Sequence, residues 1–250
     1  MRRILCLIAL LLVGCPVGAL DDDDTADDDT ITDDDDSTAL PEEVGALSTT
    51  NAADRTGAFF LPARTSDEPV PIALLYHPTG GDGASMRQGW IDAARERGFA
   101  IVAPDSRVSP QGQYTWEVGT EPGESTPDLV HAQDCLAEVL AMSVTAGPLL
   151  AAGHSGGASS APWLGSVDDR FGHVAILHGG VFPSGLGPER PAAWLSTGED
   201  DTARPPAELA GYAQELQDLG FDVTNTVFPG GHGVSAEEQT AVLDWWLGAD

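Results

Sequence analysis

The chain has 250 residues, of which 42% are hydrophobic, and a formal net charge of −29. This length suffices for one sizeable domain with a hydrophobic core. The charge argues against nucleic acid as a partner, because phosphate binding needs clustered cations. Residues 41–250 alone contain 29 acidic and 9 basic residues, and every basic residue is arginine. The acidity thus extends through the chain, which fits either adaptation to salt or a GC-rich genome.

The N-terminus joins a short basic stretch to a short apolar one. Residues 1–3 read Met-Arg-Arg, and the apolar run over residues 4–13 is too short to span a bilayer. Residues 12–15 read Leu-Val-Gly-Cys and resemble a bacterial lipobox, which implies cleavage before Cys15 and its lipidation. We therefore predict a signal peptide over residues 1–14 and a lipid-anchored protein of the bacterial cell envelope, exposed to the periplasm or the cell surface. An ordinary secretory signal is the alternative.

An aspartate-rich segment follows. Residues 21–38 hold 11 Asp and neither Lys nor Arg. Because like charges repel and little apolar surface is available for burial, we predict a disordered linker over residues 15–45. A calcium-binding repeat is less favoured, since the segment consists of runs without a glycine-bearing loop. Cys135 is then the one cysteine left to the domain of residues 46–250, so we expect a small core residue and no intramolecular disulfide.

Apolar runs and helical periodicities alternate from residue 57 onward. The runs predict strands over residues 57–62, 71–77, 99–104, 149–152, 173–178, 192–197 and 221–228. Helical spacing predicts helices over residues 85–98, 128–143 and 206–219, a short helix after residue 155 ending near 162–165, and a final helix capped by Ser235. This alternation predicts an α/β fold, with a mostly parallel sheet and helices on both faces.

Four chemically suggestive residues each follow a predicted strand. They are Thr79, Ser155, Asp201 and His232, and in a parallel sheet such strand ends meet at one edge. Residues 153–157 read Gly-His-Ser-Gly-Gly, the Gly-x-Ser-x-Gly pattern of a nucleophile elbow. The alternative is a turn or capping serine in a glycine-rich loop.

A serine nucleophile needs a base and a group that orients the base. His232, in a Gly-Gly-His-Gly turn, is the predicted base, and residues 199–201 offer three carboxylates between serine and histidine. Serine, acid, histidine is the chain order of α/β-hydrolases. His77 lies at a strand end and is placed to line the site, and His154 occupies the variable position of the elbow. The remaining histidines, which the pattern assigns to structural roles, are His131, His173 and His178.

These segments together resemble the α/β-hydrolase superfamily over roughly residues 57–248. They look most like compact secreted esterases, akin to polyhydroxyalkanoate depolymerases, feruloyl esterases and dienelactone-hydrolase-like proteins. The resemblance implies the α/β-hydrolase fold without a large cap domain, and no metal or organic cofactor. It implies a serine esterase that cleaves small-molecule or polymeric esters through an acyl-enzyme. The family pattern Gly-x-x-Asp with a later proline matches Gly198, Asp201 and Pro205, so Asp201 is the chosen acid and Asp200 the alternative.

The resemblance also implies an oxyanion hole with two backbone N–H donors. One is Gly156, directly after the nucleophile. The other comes from the loop after His77, where many relatives have His-Gly but this chain has His77-Pro78. Proline lacks an N–H, so Thr79 is expected to supply the second donor.

The substrate is less clearly indicated. The loops of residues 105–127 and 179–190 are the candidate walls, and His77, Trp116 and Trp163 are the residues predicted to contact substrate, with Tyr114 and Phe182 as further aromatic candidates. Core packing is the alternative for each. An acyltransferase or peptidase on the same triad, or a non-catalytic surface-anchored binding protein, is the alternative function. The ester and the oligomeric state are left open.

Overall fold

A computed structural model describes residues 38–49, 55–108, 112, 114–142, 144–180 and 184–248, all within a compact unit over Ser37–Asp250. The predicted signal peptide, Cys15 and the aspartate runs lie outside the described residues, as does Phe182. The strands within these described ranges are β1 Ala39–Leu40, β2 Glu43–Leu47, β3 Gly57–Leu61, β4 Arg64–Thr65, β5 Pro69–Tyr76, β6 Ala100–Pro104, β7 Arg107–Val108, β8 Tyr114–Thr115, β9 Thr145–His154, β10 Phe171–Leu177, β11 Ala192–Gly198 and β12 Val223–Phe228.

Five α-helices of the described part of the chain lie between or after these strands. They are α1 Gly83–Arg97, α2 Pro127–Leu140, α3 Ser160–Val167, α4 Pro206–Asp218 and α5 Ala236–Leu247, and a 3₁₀ turn over Ser155–Ser159 precedes α3. Asp82 and Ser85 form a capping box at the start of α1, and Ser235 and Glu238 form one at the start of α5, as predicted for Ser235. The sequence pattern predicted that the third helix ends near residues 162–165. It continues to Val167, because Pro162 lies in its first turn, where a missing N–H costs no hydrogen bond.

An eight-stranded sheet forms the centre of the domain. Its strand order is β12-β11-β10-β9-β5-β6-β3-β2, and every pairing is parallel except β2 with β3 and β3 with β6. The predicted mostly parallel α/β sheet is thus confirmed. One boundary is wrong: Glu43 and its neighbours, assigned to the linker, pair with β3 as the edge strand β2. The folded part therefore begins before residue 46.

The two faces of the sheet are covered by different helices. Along β5, Ile72 and Leu74 contribute to one buried cluster, with α2, α3 and α4, while Ala73 and Leu75 contribute to the other, with α1 and α5. This alternation is the two-residue period of a strand buried on both sides. Cys135 is fully buried in the first cluster, as predicted. The connection between β6 and α2 contains the short β7–β8 pair.

The turn at the end of β9 allows no side chain at Gly153. A Cβ there would overlap the carbonyl oxygen of Gly157, which is backbone and has little freedom to move. We expect Gly153→Ala to destabilise the protein by about 1–3 kcal/mol, as overpacked sites do. The measurement is urea unfolding followed by circular dichroism. Gly211→Ala, in α4 where a Cβ meets nothing within 4 Å, is the control and should be neutral or stabilising; an equal loss in both variants would contradict this explanation.

Candidate active site

Ser155 occupies a strained turn between β9 and the 3₁₀ segment that leads into α3. Its φ is 51°, in the left-handed region that non-glycine residues rarely adopt. Gly157 makes the turn possible, because a Cβ there would lie 2.5 Å from the carbonyl oxygens of both Tyr76 and His77 on the neighbouring strand. The close approach of strand and turn presents Ser155, half-buried, at the carboxyl edge of the sheet.

A line of hydrogen bonds joins Ser155, His232 and Asp201. The Nε2 atom of His232 lies 2.8 Å from Ser155 Oγ, and its Nδ1 atom lies 2.7 Å from Asp201 Oδ2. A carboxylate only accepts hydrogen bonds, so Nδ1 carries the proton and Nε2 accepts from the serine hydroxyl. His154, the variable residue of the elbow, donates from Nε2 to the His232 carbonyl at 3.0 Å and so fixes the backbone of the base.

Asp201 is held as a carboxylate. It is 3% exposed, and its Oδ1 accepts the backbone N–H groups of Ala203 at 2.9 Å and Arg204 at 2.8 Å. Burial alone would raise the pKa of Asp201, but hydrogen bonds from Arg204, His178 and His232 outweigh it and hold that pKa well below its usual value. Asp200 is exposed. Of the two candidate acids, the structure therefore brings Asp201 to the histidine.

The two predicted oxyanion donors lie side by side. A Cβ built on Gly156 would lie 3.2 Å from the backbone nitrogen of Thr79 and would overlap its Oγ1. Beside them opens a cavity of about 380 Å³ whose lining includes Thr79, Ser155, Gly156, Trp116, Ser159 and Arg204. We call this cavity the cleft. Its position next to the serine and the paired N–H groups suits a substrate carbonyl with its attached group.

Comparisons with known proteins reveal relationships at the level of the fold. No protein-family model and no curated protein matches the sequence. Among solved structures, S-formylglutathione hydrolase (FrmB) from Staphylococcus aureus superposes with a TM-score of 0.62 at 11% identity, over 83% of this chain and 100% of that one. Esterase PE8 gives 0.54 at 17% identity, over 82% and 98%. The Bacillus cereus carboxylesterase gives 0.53 at 20% identity, over 71% and 87%. The chain has the α/β-hydrolase fold.

Two residues of the site were not predicted from the sequence. His178 follows β10 with φ 54° and is 1% exposed; its Nδ1 lies 2.8 Å from Asp201 Oδ2, and its Nε2 lies 3.0 Å from Glu238 Oε2. Glu238 is also 1% exposed. His178 sits at a carboxyl strand end of the α/β-hydrolase fold, as the four suspected residues do, and that position was the available signal. For Glu238 the sequence carried no such signal, because its place in a capping box already accounts for a glutamate at that position.

His77 and Trp163 were predicted to contact substrate, but both are buried and neither is among the described residues that line the cleft. His77 is fully buried: Ser106 N–H donates to its Nε2 at 3.1 Å, and its Nδ1 donates to the Pro78 carbonyl at 2.8 Å. Burial lowers its pKa, in keeping with this neutral arrangement. Trp163 is 1% exposed and donates to the Gly185 carbonyl at 3.0 Å. Both side chains support the surrounding loops.

Trp116 lines the cleft, and its contact with substrate stays a prediction. It is 8% exposed, and its indole N–H donates to the His77 carbonyl at 2.8 Å, which ties the loop before α2 to the Thr79 loop.

His178, Asp201 and His232 also offer three potential metal ligands within 4.8 Å of one another. Their facing atoms already hydrogen-bond to one another, so a metal would have to displace both Nδ1 protons.

Proposed function

We propose that this protein is a serine hydrolase that cleaves carboxylic esters. The observation that carries the proposal is the continuous hydrogen-bond line from Ser155 through His232 to Asp201. The elbow strain at Ser155 and the adjacent donors at Gly156 and Thr79 support it. So does the similarity of fold to proteins described as an esterase and a carboxylesterase.

The first half of the reaction acylates the serine. Ser155 Oγ attacks the ester carbonyl carbon while His232 Nε2 accepts the hydroxyl proton. The carbonyl oxygen becomes an oxyanion and accepts hydrogen bonds from the N–H groups of Gly156 and Thr79. When the tetrahedral intermediate collapses, the bond to the alcohol oxygen breaks and His232 donates its proton to that oxygen. Ser155 is left as an ester of the acid.

The second half of the reaction releases the acid. Water takes the place of the alcohol, His232 Nε2 accepts one of its protons, and the resulting nucleophile attacks the acyl carbonyl. A second oxyanion forms in the same hole, and its collapse returns the proton to Ser155 Oγ. Asp201 stays ionised throughout and stabilises the imidazolium of His232 in both halves.

A panel of substrates tests the proposed reaction. It contains 4-nitrophenyl esters of increasing acyl length, an aromatic ester, a matched amide and a matched thioester, each assayed with the wild type and with Ser155→Ala. We expect the esters to be hydrolysed by the wild type and not by the variant. Faster cleavage of the amide or thioester, or acyl transfer to an added alcohol in preference to water, would assign another reaction to the triad. No turnover of any substrate would favour a binding protein.

The oxyanion hole gives a sharper prediction. In Gly156→Ala the new Cβ would overlap Thr79 Oγ1 and push the second donor away. We expect kcat to fall about 10²–10³-fold, the usual cost of one lost donor. The double variant Gly156→Ala/Thr79→Ala removes the overlapping hydroxyl and should recover at least part of the loss. A single variant with unchanged kcat would contradict the assigned hole.

We also propose that the protein is anchored to the bacterial cell envelope through a lipid on Cys15, on the strength of the lipobox-like residues 12–15. No helix in the described part of the chain is long and apolar enough to cross a membrane. Cys15→Ser should move the protein from the membrane fraction to the soluble fraction of cells. If this variant still sediments with membranes, the anchor proposal is wrong.

A further inference from the structure

The cleft has a charge that contrasts with the rest of the molecule. In a chain of net charge −29, the single ionisable residue among its described lining residues is a cation, Arg204. The backbone of Arg204 is fixed to the reaction centre, because its N–H donates to Asp201 Oδ1 at 2.8 Å and its carbonyl accepts the Thr197 hydroxyl at 2.8 Å. Arg204 thus lines the same cleft as Ser155.

The guanidinium group of Arg204 is available to a ligand. Its Nη1 donates to Glu208 Oε1 at 3.1 Å, in a pair whose side chains are 32% and 36% exposed. Such a half-exposed pair, between a residue just before α4 and one in its first turn, contributes little energy. Glu208 Oε1 also accepts the Tyr212 hydroxyl at 3.0 Å. Within the described residues Nε and Nη2 of Arg204 have no acceptor, and they form the planar fork that matches a carboxylate.

The acyl part of the ester is the part that enters the cleft. The leaving alcohol must lie beside His232, which gives it a proton. Ser155, Gly156 and Thr79 line the cleft, while His232 is not among its described lining residues. A carbonyl with its oxygen at the two donors and its alcohol toward His232 consequently directs its acyl chain toward Arg204.

We propose that the enzyme prefers esters whose acyl group ends in a carboxylate, as in monoesters of short dicarboxylic acids, and that Arg204 binds this carboxylate. The proposal rests on the esterase function proposed above. The cleft volume of about 380 Å³ suits an acyl chain of a few carbons.

Two substrates with the same leaving group test the preference. Mono-4-nitrophenyl glutarate carries the carboxylate, and 4-nitrophenyl pentanoate has an acyl chain of the same length without it. We expect kcat/KM to be about tenfold or more higher for the glutarate, consistent with a hydrogen bond to a charged group. Arg204→Gln should lower the ratio of kcat/KM for the glutarate to kcat/KM for the pentanoate to about one. Arg97→Gln, at an exposed position near the end of α1, is the matched control and should leave kcat/KM for both esters unchanged.

The possible failures are distinguishable. If the wild type hydrolyses pentanoate but not glutarate, or if Arg204→Gln keeps the glutarate preference, the substrate inference is wrong and the esterase function stands. If the wild type hydrolyses neither ester, the proposed function itself fails. Loss of the preference in Arg204→Lys would further show that the fork geometry matters and not the charge alone.

His178 carries a second, independent inference. Both of its ring nitrogens face carboxylate oxygens, of Asp201 at 2.8 Å and Glu238 at 3.0 Å, and carboxylates only accept. Glu238 is itself an acceptor on its other oxygen, where the Ser196 hydroxyl lies at 2.6 Å; the Trp194 indole donates to that hydroxyl at 3.0 Å, which leaves its proton for Glu238. When both carboxyl groups are ionised, both nitrogens of His178 donate.

We infer that His178 is an imidazolium ion that positions Asp201. Asp201 Oδ2 is shared between His178 and His232, so the carboxylate is locked in rotation. The left-handed φ of 54° at His178 is the kind of strain that persists only where surrounding contacts fix it. With His178 cationic, the buried group of His178, Asp201 and Glu238 has a net charge of −1, the charge of a lone triad aspartate.

The surroundings of His178 define how its charge depends on pH. Asp201 and Glu238 contact it, and the rings of His154 and His232 lie 5.5 and 5.6 Å away between centroids. Burial opposes protonation, but the hydrogen bonds to Glu238 and Asp201 outweigh it and raise the pKa of His178 above 6.5. Because this pKa is raised on folding, the protonated form of His178 stabilises the folded state. The stabilisation is complete below pH 6.5 and is lost as the pH rises through the folded-state pKa of His178.

Nitrogen NMR of ¹⁵N-histidine-labelled protein tests the charge, with His178→Gln to assign the signal. At pH 7.5 we expect both ring nitrogens of His178 to be protonated in the wild type and one in Glu238→Gln. The stability difference between wild type and Glu238→Gln should shrink as pH rises from 6.5 to 9, and His178→Gln should lower kcat with little change in KM. A neutral His178 at pH 7.5, or a stability difference that does not vary over this range, would overturn the inference.

Discussion

Ser155→Ala is expected to lower kcat for ester hydrolysis by about 10⁵–10⁶-fold, the loss seen when a triad serine is removed. Without Oγ there is no acyl-enzyme, and His232 Nε2 loses its 2.8 Å partner. The oxyanion donors remain, so a small rate above that of water should persist. The measurement is a 4-nitrophenyl ester assay at high enzyme concentration, with thermal unfolding to show that the fold is intact.

Ser160→Ala is the matched control for this loss. Ser160 lies five residues further along, in the first turn of α3, and its buried Oγ has no hydrogen-bond partner among the described residues. Its removal breaks no contact to the triad, so we expect kcat to stay within about threefold of the wild type. Comparable losses in both variants would mean that the effect arises from disturbance of the elbow and not from the nucleophile.

Asp201→Asn is expected to lower kcat by about 10⁴-fold. The amide cannot stabilise the imidazolium of His232, and its NH₂ group, if placed where Oδ2 now accepts, would force the base into the wrong tautomer. Asparagine retains an oxygen for the N–H groups of Ala203 and Arg204, so the loop should keep its shape. The rate is measured with the same ester, and the pH of half-maximal rate is recorded alongside.

Asp200→Asn separates the two candidate acids. Asp200 is exposed, and its backbone N–H, which the substitution preserves, donates to the Gly230 carbonyl at 2.8 Å. We expect activity within about threefold of the wild type. If Asp200→Asn loses as much activity as Asp201→Asn, the geometric assignment of the acid is wrong.

The sheet could be predicted because its central strands are continuous apolar runs in the sequence. The stretch around Leu74, buried on both faces, has this pattern, and the elbow, the acid and the histidine follow such runs in an order that indicates one site. Edge strands are harder: β2 reads Glu-Val-Gly-Ala-Leu, is mostly exposed and pairs with β3 alone, so it lacks the apolar run of a central strand. The linker boundary was misplaced for that reason.

Side-chain direction after a strand end could not be predicted. His77 was expected to face substrate, but loops that arrive later in the chain, with Ser106 and Trp116, enclose it. His178 was assigned a structural role, although its left-handed backbone turns the ring toward Asp201. Both outcomes depend on tertiary contacts and on one unusual dihedral angle, and neither leaves a periodic trace in the sequence.

Covalent labelling tests the central claim, a nucleophilic Ser155, without knowledge of the substrate. Purified wild type and Ser155→Ala are treated with a fluorophosphonate and compared by intact mass spectrometry. The hydrogen-bonded serine, histidine and aspartate predict one adduct per wild-type chain, located on the peptide that contains Ser155, and none on the variant. An unlabelled wild type that is correctly folded, or a variant labelled to the same extent, would contradict it.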